Sequence, residues 1–308
     1  MARVWLHVGM QKTGTSAVQD WLAASEEDLL SQGLLYLRPG RGQPASGGLV
    51  RALVRDPAKA DRIISGFVTR LHKAAAGDAL ISSEDFSCHP ARLARPLIEA
   101  FDGHRIGVLI WLRRQDLFAE ALVKQWVKWN GSRAQDMQGF LNHYVRPLLD
   151  YDRLLQDWAG TFPNLAVIPA IYAEEAPGAP RPDSIRALLA AIGRQDVAPA
   201  DAAGLRANVS PCADLVRHYA TLDQAEDVRR TNRELMRRHA MRFAGRGDLI
   251  PPGQRASIRA DCLASNERLR ERWFPHRKRL FDDTEPLAPT PGSGAEAVAT
   301  FRELLGRG

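Results

Sequence analysis

The residues best suited to chemistry gather in eight positions, Gly9-Met10-Gln11-Lys12-Thr13-Gly14-Thr15-Ser16. The lysine supplies a full positive charge, and three hydroxyls supply neutral donors. Two glycines let the backbone turn successive N–H groups toward one point. Such a set suits an anion with several oxygens. A second group, Ser82-Ser83-Glu84-Asp85, offers a carboxylate able to take a proton from a hydroxyl, or to cap the helix that follows. A third, Arg113-Arg114, offers planar forks that meet phosphate oxygens through paired bonds.

Each group follows a segment that reads as a buried strand: Val4-Trp5-Leu6-His7-Val8, Ala79-Leu80-Ile81-Ser82-Ser83, and residues 105–112. After the first loop, Ala17, Val18, Trp21 and Leu22 form one stripe of a helix, so the loop joins a strand end to a helix start. The first N–H groups of a helix lack intrahelical acceptors and carry partial positive charge, which favours anions there. Capping by Thr15 or Ser16 accounts for one hydroxyl, but not for a lysine, three hydroxyls and two glycines together.

Strands and helices alternate over the first 130 residues, which predicts a parallel sheet covered on both sides. Ligands collect beyond the carboxyl ends of such strands, so the three groups are expected on one rim. The expected fold class is α/β: a P-loop-like three-layer sandwich with a central parallel sheet flanked by helices, plus a mainly helical carboxyl-terminal part. Residues 1–308 read as one domain: an α/β core over 1–172, helices over 183–285, and a tail over 286–308 that is loose at first and closes with a short helix. Further expectations are a short strand at Leu34-Leu35-Tyr36-Leu37, helices over 49–76 broken near Pro57, a helix over 91–101, a long helix over 115–130, one amphipathic helix over 140–158, and a strand at Leu165-Ala166-Val167-Ile168.

The loop differs from the phosphate loop of nucleotide hydrolases and kinases, whose lysine directly follows the second glycine; Lys12 comes two residues before Gly14. His7-Val8-Gly9-Met10-Gln11-Lys12-Thr13-Gly14-Thr15-Ser16 instead resembles the 5′-phosphosulfate loop of sulfotransferases that use 3′-phosphoadenosine 5′-phosphosulfate (PAPS), especially the bacterial and carbohydrate-modifying branches. That resemblance implies that Lys12 touches the bridging oxygen of the donor. It implies too that Gln11, Lys12, Thr13, Gly14, Thr15 and Ser16 hold the 5′-phosphosulfate. Glu84 becomes the expected general base, with His89 in reserve because other branches use a histidine. Trp111-Leu112-Arg113-Arg114-Gln115-Asp116 resembles the 3′-phosphate site, with Arg113 as ligand. The family usually has a serine eight residues after that arginine. Ala121 stands there, which leaves Lys124 or Gln125 to compensate. Leu205-Arg206-Ala207-Asn208-Val209-Ser210 resembles an R-x-N-x-S element near the cofactor, which adds Arg206 and Ser210 as 3′-phosphate contacts; the same residues also read as a capped helix entry before Pro211. Ser265-Asn266-Glu267-Arg268-Leu269 echoes the carboxyl end of bacterial members in a structural capacity.

The implied activity is transfer of a sulfuryl group to an acceptor hydroxyl, on a carbohydrate or glycolipid, with release of 3′,5′-ADP and no metal. The alternatives are a nucleotide kinase, or a nucleotide-binding protein without catalysis. With 42 basic and 36 acidic residues, the net charge of +6 suits an anionic ligand. No aromatic residues interleave with the basic ones, so no nucleic-acid platform is expected. The basic stretches over 229–246 and 268–279 read either as a groove for an acidic acceptor or as solvated helix faces. Three scattered cysteines and eight unclustered histidines give no disulfide framework and no metal motif. The first apolar run is too short for a secretory signal, and no run has the ~18–20 residues of a membrane span, so a cytoplasmic location is expected.

Overall fold

A computed structural model of the chain describes residues 1–40, 42–172, 183–199, 211–223, 225–243, 248–282 and 293–306. Five strands, β1 (Arg3–His7), β2 (Leu34–Leu37), β3 (Asp78–Ser82), β4 (Arg105–Leu112) and β5 (Ala166–Ile171), pair in the order β2-β3-β1-β4-β5. Every pairing is parallel, with His7 opposite Ser82 on one side and Leu109 on the other. The helices are α1 (Thr15–Ala24), α2 (Glu26–Ser31), α3 (Gly47–Arg55), α4 (Pro57–Ala74), α5 (Arg95–Ala100), α6 (Gln115–Asn130), α7 (Met137–Phe140), α8 (Tyr151–Thr161), α9 (Ser184–Ala191), α10 (Ala213–Tyr219), α11 (Ala225–Phe243), α12 (Pro252–Trp273) and α13 (Ser293–Leu305).

The two-residue period of a strand sends alternate side chains to opposite faces. Leu34, Tyr36, Leu80, Leu109 and Trp111 pack with Val18, Trp21, Leu22 and Leu29 of α1 and α2 and with Ile185, Leu188 and Leu189 of α9. Val4, Leu6, Leu35, Ala79, Ile81, Val108 and Ile110 face the other way, into a larger core. That core takes Phe67 from α4, Phe118 and Leu122 from α6, and Leu155 and Trp158 from α8. It continues into Val216, Leu235, Ile258 and Phe301 of the carboxyl-terminal helices. The chain is thus an α/β protein with a central parallel sheet between helical layers, and its carboxyl-terminal helices share the larger core.

Three expectations are corrected. Residues 140–158 do not form one helix. After α7 the chain passes through a wide π turn at Leu141–Val145 and a 3-10 turn at Arg146–Leu148, and α8 starts afresh with Asp150 capping the N–H of Arg153. Pro147 removes a donor and bars a continuous helix. The last strand also runs on to Ile171, through Pro169, which an edge strand tolerates because one side of its ladder is unpaired. The helix expected over 91–101 is a 3-10 turn at Ala91–Ala94 followed by α5.

Candidate functional site

The sheet order puts β1 at the centre, with β3 and β4 as its neighbours. Its chain leaves toward β2 on one side, and later strands build outward on the other. This is the reversal of strand order at which open α/β sheets hold ligands. The three polar groups follow β1, β3 and β4, so they stand side by side on that rim.

The β1–α1 loop is anchored to β4: Val8 and Gly9 N–H donate to the Leu109 carbonyl, and Met10 N–H to the Trp111 carbonyl. Gly9 and Gly14 have φ of 38° and 79°. A Cβ on Gly9 would lie 2.8 Å from Thr15 Cγ2, so only glycine fits that turn. Gly14 stands at the N-terminus of α1, with no side chain capping the helix. Lys12 is also left-handed, at φ 64°, a conformation that costs a side-chain-bearing residue roughly 1–2 kcal/mol. Arg113 Nη1 donates to the Lys12 carbonyl at 2.9 Å and holds the peptide there.

The Lys12 ammonium makes no hydrogen bond or ion pair among the described residues. Its pKa is lowered to about 8, first by loss of solvent, then by the charges of Lys128 and Arg113, against a smaller opposing pull from Glu84. Lys128 on α6 is likewise pushed down by burial and by Arg233. Lys124 sits one turn earlier; burial lowers it too, although Glu120 lies 3.5 Å away. Positive groups therefore face one another across the rim above β1 and β4.

Glu84 opens the 3-10 turn after β3 and accepts from Gln19 Nε2 at 2.7 Å. The same amide donates to Ser82 Oγ, which contacts His7 Nδ1 at 2.9 Å. His7 is wholly buried, and burial lowers its pKa to about 4, so it is neutral at pH 7. This polar chain under the loop ties β1, β3 and α1 together and orients Glu84. His89 ends the turn, where its charge acts on Asp85. Between the start of α3 and the end of β3 lies a cavity of about 270 Å3, and Glu84 forms part of its wall.

Two assigned residues, and the Arg114 that follows Arg113, turn their side chains to partners within the protein. The Thr13 hydroxyl turns inward to the Met10 carbonyl at 2.6 Å, which spends its proton within the loop. Gln11 reaches Cys88 Sγ at 3.4 Å and also bonds Tyr144, away from the loop's centre. Arg114 faces a different partner from its neighbour Arg113 and pairs with Asp116. Lys12, Gly14, Thr15, Ser16, Glu84 and Arg113 do share the rim. Arg206 and Ser210 lie outside the described residues.

Sequence reading missed Lys128, Gln19 and Tyr172. The first two had a signal: a lysine two turns past Ala121, and a glutamine on the buried stripe of α1. Tyr172 had none, since its place at the end of β5 follows from the strand's extension past Pro169. Its ring lies 5.8 Å from the Arg113 guanidinium carbon, and it also stands against Gly14. Compared with family models, with curated proteins and with solved structures, the chain matches none.

Proposed function

We propose that this chain is a PAPS-dependent sulfotransferase that acts on an acceptor hydroxyl, with a carbohydrate as the acceptor. The observation that carries the reading is the Lys12 ammonium. It is desolvated and crowded by Lys128 and Arg113, and it sits on a strained peptide at a strand-to-helix loop. Strain of this kind persists where the surroundings enforce it and clusters at functional sites. An anionic ligand relieves the repulsion. Arg113, which follows the next strand and bonds the Lys12 carbonyl, adds a second cation beside the loop, and a ligand with two phosphate groups brings charge for both. The residues fit such a donor with two adjustments: Thr15, Ser16 and the loop N–H groups take the 5′-phosphosulfate, while Thr13 braces the loop and Gln11 ties it to Cys88 and Tyr144.

The bound donor supplies a sulfuryl group on an activated anhydride. Lys12 neutralises charge that builds on the bridging oxygen as the sulfur–oxygen bond breaks. Glu84, held by Gln19, accepts the acceptor's proton as the new oxygen–sulfur bond forms. Arg113 grips the 3′-phosphate, and Lys124 and Lys128 supply charge that compensates for Ala121. The order of lysine and glycine speaks against the kinase alternative.

Calorimetry with 3′,5′-ADP, set beside ATP with magnesium, tests the reading. Micromolar binding of 3′,5′-ADP that weakens ~10-fold or more in Arg113→Ala is expected, because charge-assisted hydrogen bonds each contribute ~1.5–3 kcal/mol. Preference for magnesium-ATP, or no heat with 3′,5′-ADP, overturns it.

A further inference from the structure

The cavity beside Glu84 has a chemistry of its own. Gln43, Gly47 and Gly48 form one side, Arg51 reaches in from the first turns of α3, and Glu84 and Asp85 close the other side. The backbone comes close here: a Cβ on Gly47 would lie 2.8 Å from Asp85 Oδ2 and 3.6 Å from Arg51 Nη1. Although Arg51 and Asp85 both flank Gly47, neither side chain makes a hydrogen bond or ion pair among the described residues. A donor fork, an amide and two carboxylate acceptors thus line one hollow without satisfying one another.

We infer that this cavity binds a single polyhydroxyl ring, neutral or amine-bearing, and rejects an acidic one. The inference rests on the sulfotransferase reading for its location at the acceptor position. Each hydroxyl of a sugar both donates and accepts, so neighbouring hydroxyls can give to Asp85 while receiving from Arg51 and Gln43. A carboxylate or sulfate on the ring would meet two carboxylates with one arginine. Burial raises the Asp85 pKa and Glu84 adds to it, against smaller opposing pulls from Arg51 and His89. At about 270 Å3 it lies just under the ~300–1,000 Å3 of pockets that enclose drug-sized ligands, which limits it to one ring with the rest of any chain outside. Among the described residues of the arginine-rich helices, Arg230 pairs with Asp227, Arg238 with Glu234, Arg268 with Asp152 and Arg270 with Glu267.

Saturation-transfer NMR and calorimetry with methyl glucoside, glucosamine and glucuronate, each with and without saturating 3′,5′-ADP, test the inference. Methyl glucoside and glucosamine should bind at least ten-fold more tightly than glucuronate. Asp85→Asn should narrow that gap, and Arg51→Ala should weaken methyl glucoside several-fold with 3′,5′-ADP affinity unchanged. Circular dichroism and melting curves confirm that each variant folds. Glucuronate binding as tight as methyl glucoside overturns the inference, as does a wild-type protein that binds 3′,5′-ADP but none of the three sugars. If the sugars bind with the expected ranking and 3′,5′-ADP does not, the donor assignment fails while the cavity's selectivity stands.

Discussion

Arg113 and Arg114 are consecutive, yet they belong to two different kinds of charge cluster. Arg114 turns into the protein, where Asp116 also receives Arg255 at 2.9 Å and Arg259 at 3.0 Å. That carboxylate is wholly buried; burial works against its charge, but the hydrogen bonds and charges of Arg114 and Arg255 prevail and hold its pKa below the usual range. The cluster pins α12 to the start of α6 and carries its own anion. Arg113 turns toward the loop, where the nearby ammoniums of Lys12 and Lys128 have no carboxylate paired with them among the described residues. One group of cations is completed by the fold; the proposed function assigns a ligand to the other.

Three variants sharpen or break this contrast. Asp116→Asn removes the carboxylate that Arg114, Arg255 and Arg259 share and should cost ~3–5 kcal/mol, the usual penalty for removing one partner of a buried pair, read as a large drop in melting temperature. A small drop would mean that the inner cluster is not balanced by its carboxylate. Lys12→Ala should lower sulfuryl transfer ~10²–10³-fold, the scale seen when one donor to a developing oxyanion is lost, with the melting temperature unchanged or raised. For the wild type, transfer measured as kcat/KM should fall as pH rises through about 8, because Lys12 loses its proton there; a flat profile to pH 9.5 removes Lys12 from the chemistry. Lys128→Met should have the smallest effect, a several-fold loss of 3′,5′-ADP affinity together with a small gain in stability without ligand. Lower stability without ligand would show that Lys128 is structural, like Arg114.

The strand ends were legible because each polar group follows an unbroken apolar run, and the parallel sheet followed from alternation with helices. The break at residues 141–148 was hidden: Leu141, Val145 and Leu149 keep helical spacing, and only Pro147 contradicted it. That Lys12, Glu84 and Arg113 share one rim could be read because each follows a strand of the same parallel sheet. The inward turn of Thr13 and the orientation of Glu84 by Gln19 could not, since a hydroxyl or amide that stabilises a loop looks the same in sequence as one that meets a ligand.

The bond from Arg113 to the carbonyl of Lys12 joins the end of β4 to the loop after β1 as one mechanical unit. A guanidinium has five N–H donors, so it can meet a phosphate and still brace that carbonyl. On the proposed function, a 3′-phosphate held by Arg113 therefore stiffens the peptide that aims the ammonium. A donor fragment lacking its 3′-phosphate should lose turnover as well as grip, because the lever that sets Lys12 is then left slack.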